Sequence, residues 1–318
     1  MATWDLDDFE YWLDNIDDFD GVPNVIELNL SETHHLTSLP PEIGNLTSLE
    51  SLTVSNNRLT SLPAEIGRLT RLTVLSLNDN DITQLPPEIG LLTSLRLFSM
   101  SDNKLTSIPP QIGNLVALSY LNLRDNNINQ LPPEIGNLTQ LIAFILGDNK
   151  LTNLPPEMAK LTKLSTLYLS GNKFKSMSPA VLRLPRLTFL DISNNELTYP
   201  ITAPQNNPYL VINQKGNTYK MTKTDKMNLL RVGKLAPKTK GIREIPEELM
   251  AGLISKFGGN RSNAKRTQTK KTRRKTKRKT RTSKKKRKNK RRGKTQRRGK
   301  TQRRGKTQKA CQNKKILI

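Results

Sequence analysis

One cysteine, two histidines and two tryptophans among 318 residues leave little material for several kinds of chemistry. A lone Cys311 closes no internal disulfide and builds no cysteine zinc cluster, which points to a reducing compartment. There is no run of ~18 apolar residues to span a membrane. The opening MATWDLDDFE is acidic where a secretory leader would be basic, so an intracellular chain is expected, cytoplasmic with the nucleus as a second location. Apolar residues make up only 34% and aromatics 5%, so part of the chain cannot belong to a core. Acid is missing from residues 261–318, which hold 30 of the 53 Lys and Arg; the 23 others face all 27 Asp and Glu. The body is therefore mildly acidic, and the high isoelectric point belongs to the tail.

What the chain has in quantity is repetition. LTSLESLTVSNNRLTSLPAEIGR from Leu46 recurs as LTRLTVLSLNDNDITQLPPEIGL from Leu69, with further copies starting at Leu92, Leu115, Leu138, Leu161 and Leu184, a period of 23 residues. A copy one residue longer begins near Val22. In each, apolar residues end in alternation, so Leu52 and Val54 point one way and Ser51, Thr53 and Ser55 the other. That predicts one short strand per copy. No copy can bury its leucines alone, whereas stacking at about 4.8 Å joins them in one parallel sheet over a continuous core. Asn57, Asn80, Asn103, Asn126, Asn149, Asn172 and Asn195 fall where the chain leaves the strand, and an amide there can bridge successive turns. The return half, as in Leu62-Pro63-Ala64-Glu65-Ile66-Gly67, suits a 3₁₀ or helical turn: Pro and an acid at its start, Gly permitting the exit. Ser176-Met177-Ser178-Pro179 and Leu197-Thr198-Tyr199-Pro200 depart from this half and suggest that the array is ending.

These residues resemble the leucine-rich repeat, L-x-x-L-x-L-x-x-N-x-L, over roughly residues 22 to 200. The L-P-x-E-I-G-x-L form is similar to the intracellular typical class found in Ras-pathway and Scribble-like scaffolds. Plant receptor ectodomains carry L-x-G-x-I-P, where this chain has Leu105-Thr106-Ser107-Ile108-Pro109. The resemblance implies an α/β fold, a leucine-rich repeat solenoid or horseshoe with a parallel concave sheet, flanking caps and a disordered basic tail. It also implies a scaffold, possessing no enzyme activity, that binds a protein partner on the concave face, in signalling.

The expected organisation is an acidic amphipathic cap over 1–21, repeats over 22–206, a C-terminal cap region over 207–257 and a polybasic tail over 258–318. Trp4, Leu6, Phe9, Trp12, Leu13, Ile16 and Phe19 give the first segment its apolar stripe, suited to covering the first repeat. Alternatively, this acidic segment recognises a basic partner, the tail included. Pro208 to Asn213 can add a strand, and Ile245 to Phe257 reads as a helix with proline in its first turn. The tail, with Lys270, Lys271, Arg273, Arg274, Lys284, Lys285 and Arg287, then Arg-Arg-Gly-Lys-Thr-Gln from Arg291, Arg297 and Arg303, has almost nothing apolar to bury and reads as an extended polycation.

Catalysis has little support. His34 takes the place of the repeat asparagine in the irregular first copy, and neither it nor His35 has metal-ligand spacing or a nucleophile beside it. No phosphate-binding Gly-Lys-Ser/Thr loop occurs, and no cofactor or metal is implied. For binding, the outward strand positions supply Leu97, Tyr120, Asn122, Arg124, Ile145, Tyr168, Phe189 and Asp191, an aromatic patch toward the later repeats. Asp79, Asp102, Asp125 and Asp148 form a column beside the asparagines, read as turn chemistry or as an acidic groove margin. The expected partner is a protein bound by a monomer. The alternative is nucleic acid, held non-specifically by the tail.

Overall fold

Because each copy carries a single strand, successive strands can pair only in parallel, with the rest of the copy as the crossover. The computed structural model describes residues 2–15 and 24–219, all within the compact unit Met1–Ile242, and has this arrangement. Ten strands lie in chain order in one parallel sheet: β1 (Ala2–Trp4), β2 (Val25–Asn29), β3 (Ser51–Thr53), β4 (Val74–Ser76), β5 (Leu97–Ser99), β6 (Tyr120–Asn122), β7 (Ala143–Ile145), β8 (Thr166–Tyr168), β9 (Phe189–Asp191) and β10 (Val211–Asn213). Leu52 pairs with Leu75, and Leu75 with Phe98, so equivalent side chains stack in columns. Those columns, with the leucines and isoleucines of the return turns, make one core in which Leu52, Leu75, Ile89, Leu121 and Leu167 are fully buried.

Six return turns are 3₁₀ helices, from Pro41–Asn45 to Pro156–Lys160, and five begin on proline. The glycine of these turns has a different role from the expected one: its backbone φ is not positive. A Cβ on Gly136 would sit 2.5 Å from the carbonyl oxygen of Glu157 and 2.6 Å from its Cβ, so glycine is there because adjacent turns touch. Where the pattern weakens the turn is replaced rather than lost. Ser178 caps a short helix, α2 (Pro179–Leu182), its Oγ accepting from the Ala180 N–H.

At the N-terminus the sequence expectation is corrected in part. Trp4 belongs to β1, which pairs with β2, and only Leu6–Asp14 is helical (α1). Asp5 caps that helix in a reciprocal box with Asp8, and Phe9 and Trp12 are buried against the first repeat. Ile16 and Phe19, the helix expected over Ile245 to Phe257, the polybasic tail and Cys311 lie outside the described residues.

Candidate functional site: the open face of the sheet

The face is held in place from behind by the asparagine column. Asn126 is typical: its Nδ2 donates to the carbonyls of Met100 at 2.9 Å, Leu123 at 3.1 Å and Arg124 at 3.1 Å, while its Oδ1 accepts from the Leu105 N–H at 2.9 Å. Each amide thus stitches its own copy to the preceding one. Asn217 continues the column, donating to Ile192 O and Gln214 O and accepting from the Asn195 and Leu197 N–H groups. Its spacing of 22 residues hid it from a strict repeat frame. His34 does not stand in for asparagine in the first copy. The Thr33 hydroxyl donates to Asn57 Oδ1, and His34 is exposed at φ 62°, taking up the extra residue of that longer copy.

In front of this scaffold the outward positions divide in two. Over β3 to β6 the second outward row, Thr53, Ser76, Ser99 and Asn122, is polar, and it bonds within itself and to the residues that follow: Ser55 bonds Ser76, Ser99 and Ser101 donate to Asn78 Oδ1, and Asn122 donates to Ser99. The aromatic and larger apolar outward side chains are Val74 and Leu97, then Tyr120, Ile145, Tyr168 and Phe189 over β6 to β9. Tyr120 and Ile145, expected as part of an exposed patch, are 4% and 7% exposed, packed sideways by their neighbours. Leu97, Tyr168 and Phe189 are half-buried, and the last two rings meet at 5.2 Å, tilted by 49°. Burial raises the phenol of Tyr168 to about 12, with the Asp191 charge adding to it, and raises Tyr120 further still. Both rings are therefore neutral at physiological pH, and the face offers them as apolar surface with a polar tip.

The acidic column has a backbone cause. Asp79, Asp102, Asp125 and Asp148 all have φ between 52° and 56°, and Asn56, Gly171 and Asn194 share that left-handed position. Short polar side chains and glycine tolerate it, which is the turn chemistry read from the sequence. Stacking like charges has a cost: Asp79 and Asp125 have raised pKa values, first through burial and then through neighbouring acids. Arg124 relieves it locally, its guanidinium bonding Asp125 at 3.0 Å and Asp148 at 2.9 Å. Asp191 is similarly engaged, accepting from Asn213 Nδ2 and the Ser193 N–H. Of the eight sequence-chosen binding residues, Arg124 and Asp191 are thus held in internal contacts, and the Tyr168–Phe189 pair is the aromatic surface left partly open.

Among the described residues no helix is long and apolar enough to cross a membrane, and no group of three His, Cys, Asp or Glu is placed to hold a metal. What sequence reasoning missed is charge: residues 150–190 carry seven Lys and Arg and one acid, a bias that a count by repeat would have found.

Sequence profiles of leucine-rich repeat families match the chain: a leucine-rich repeat region over 26–101, leucine rich repeats over 136–197, and single repeats over 94–115 and 117–138. No curated protein matches it. Among solved structures, a leucine-rich repeat protein of Leptospira interrogans is 33% identical, with a TM-score of 0.59, covering 64% of this chain and 52% of its own. The chain therefore spans about half of that protein's length. The ectodomain of the Arabidopsis thaliana receptor kinase GASSHO1/SCHENGEN3, in complex with CASPARIAN STRIP INTEGRITY FACTOR 2, is 32% identical with a TM-score of 0.53, over 61% of this chain and 24% of its own. The plant peptide hormone receptor RGFR1, in complex with RGF2, is 28% identical with a TM-score of 0.52, over 63% and 37%.

Proposed function

The chain belongs to the leucine-rich repeat proteins, and on that premise we propose that it is a non-enzymatic scaffold whose open sheet face binds a protein partner. The observation that carries this reading is the Tyr168–Phe189 pair, two aromatic rings left half-open on a rigid parallel sheet. Aromatic anchors in interfaces commonly contribute about 2 kcal/mol or more. Two solved neighbours, both held in complex with another molecule, support a binding role for the array. A role in signalling as an intracellular monomer follows from the likeness to the typical class and remains part of the proposal.

The test compares partners recovered by the full chain with those recovered by Tyr168→Ala/Phe189→Ala. Both side chains are outward on the sheet, so folding is retained, checked by circular dichroism. Loss of a specific partner from the double variant supports the reading. Identical recovery by the two proteins refutes it. A second reading rests on the 30 cations of residues 261–318: the tail binds nucleic acid non-specifically, with affinity falling steeply as salt releases counterions.

A further inference from the structure

The repeat array is electrically polarised. Residues 24–149 carry 12 acids and 6 cations, whereas residues 150–190 carry one acid and 7 cations. In the earlier part Arg71, Lys104 and Arg124 are paired with carboxylates; none of the seven later cations has an ion pair with a described residue, and all are exposed. Six of them form three columns two repeats deep. Lys150 and Lys173 follow ladder asparagines, Lys160 and Arg183 end successive return turns, and Lys163 and Arg186 lead into β8 and β9, whose register fixes the offset. The acid of the return turn, present as Glu134 and Glu157, is Ala180 in the last of them. The first column leaves the sheet and the third enters it, so these four cations lie on either side of the strands, while Lys160 and Arg183 stay on the return turns. Asn207 donates to Leu187 O, which ties the loop carrying Tyr209, an aromatic 85% exposed, to the segment entering β9.

We propose that this end of the array is a binding surface for single-stranded nucleic acid, independent of the tail and sharing Tyr168 and Phe189 with the face proposed above for docking. Cations in rows with no ion pair to a described carboxylate suit a backbone whose negative charges repeat, and the half-open rings of Tyr168 and Phe189 with the exposed Tyr209 in the same repeats suit bases, which stack on aromatics without sequence preference. An acidic polypeptide would satisfy the charge but bring nothing flat to the rings.

The experiment uses the full chain and a single-stranded oligothymidylate, with affinity measured across a salt series. In Lys150→Gln/Lys163→Gln/Lys173→Gln/Arg186→Gln the log-log salt slope should fall by about 2 to 3, at about 0.7 per lost phosphate contact, while the tail's contribution is common to both proteins. Arg58→Gln/Arg68→Gln/Arg96→Gln, which neutralises cations elsewhere on the array, should leave the slope unchanged. A 5-iodouracil probe should crosslink to Tyr168, Phe189 or Tyr209. An unchanged slope in the quadruple variant overturns the proposal. So does displacement of the probe by polyglutamate at equal charge with no crosslink to these rings, which would mark the surface as one for acidic polypeptides.

Discussion

Asn126 commits its whole side chain to backbone groups, three carbonyls and one N–H, at a buried position. Asn126→Ala leaves the Leu105 N–H without a partner, while the Met100, Leu123 and Arg124 carbonyls still accept from Asn103, Asn149 and the Asp102 N–H, and one buried unsatisfied group costs about 1–3 kcal/mol. We expect a loss of about 1–3 kcal/mol in urea unfolding, larger than for a single lost surface contact. Asp79 shows the opposite case. Its pKa is raised above the usual 3.8 by burial and by Asp125, so the folded chain holds that proton more tightly than the unfolded one. Its ionisation therefore destabilises the fold as pH rises through 3.8 and beyond, and the penalty is fully present at neutral pH. Asp79→Asn should stabilise at pH 7 by about 0.5 kcal/mol or less, given its solvent exposure, with the gain vanishing as pH falls below about 4. Asparagine already occupies the equivalent left-handed positions 56 and 194, so the backbone accepts it. Thermal unfolding of both proteins across pH measures the difference; a gain that persists unchanged in acid would show that charge is not the cause.

At the scale of elements, the period of 23 residues was enough to place the strands from β3 to β9, their common register and the return turns, because every copy repeats the same apolar columns. The strand expected over Pro208 to Asn213 is β10. What the period could not reveal depends on neighbours rather than on a copy's own residues. The return-turn glycine looked like a conformational device, yet contact with the next turn explains it, and that is visible only once turns are stacked. Ala159 makes the point. It occupies the same position as Gly136 but is exposed, because the next turn is α2 rather than another 3₁₀ helix. Gly136→Ala should therefore push against the Glu157 backbone and cost about 1–3 kcal/mol as overpacking, whereas Ala159→Gly should cost no more than about 1 kcal/mol from backbone entropy. Equal losses at the two positions would argue that contact between turns is not what selects glycine. The aromatic site was legible to the same degree: alternation told which way Tyr120 and Ile145 point, but their lateral burial comes from residues on adjacent strands.

For the whole molecule, a stack of repeats has no core that reaches from end to end through long-range contacts; each copy touches its neighbours, and the terminal ones depend on what covers them. The acidic N-terminal stripe announced such a cover through Phe9 and Trp12, while β1 was hidden because three residues, Ala2 to Trp4, carry no periodic signal and pair only when β2 presents its edge. Trp12 is the centre of this cover, 2% exposed and in ring contact with Trp4 at 5.9 Å and Phe9 at 5.8 Å. Truncating a buried Trp removes about 3–5 kcal/mol of packing. In a globular core that loss would be shared by the entire domain; in a repeat array it should be felt mainly by the copies next to it. Trp12→Ala should accelerate hydrogen exchange of amides in β2 and β3 by about a hundredfold or more while those of β6 to β8 keep their protection. If protection falls equally along the sheet, the ten strands unfold as one cooperative unit and the cap stabilises all of them.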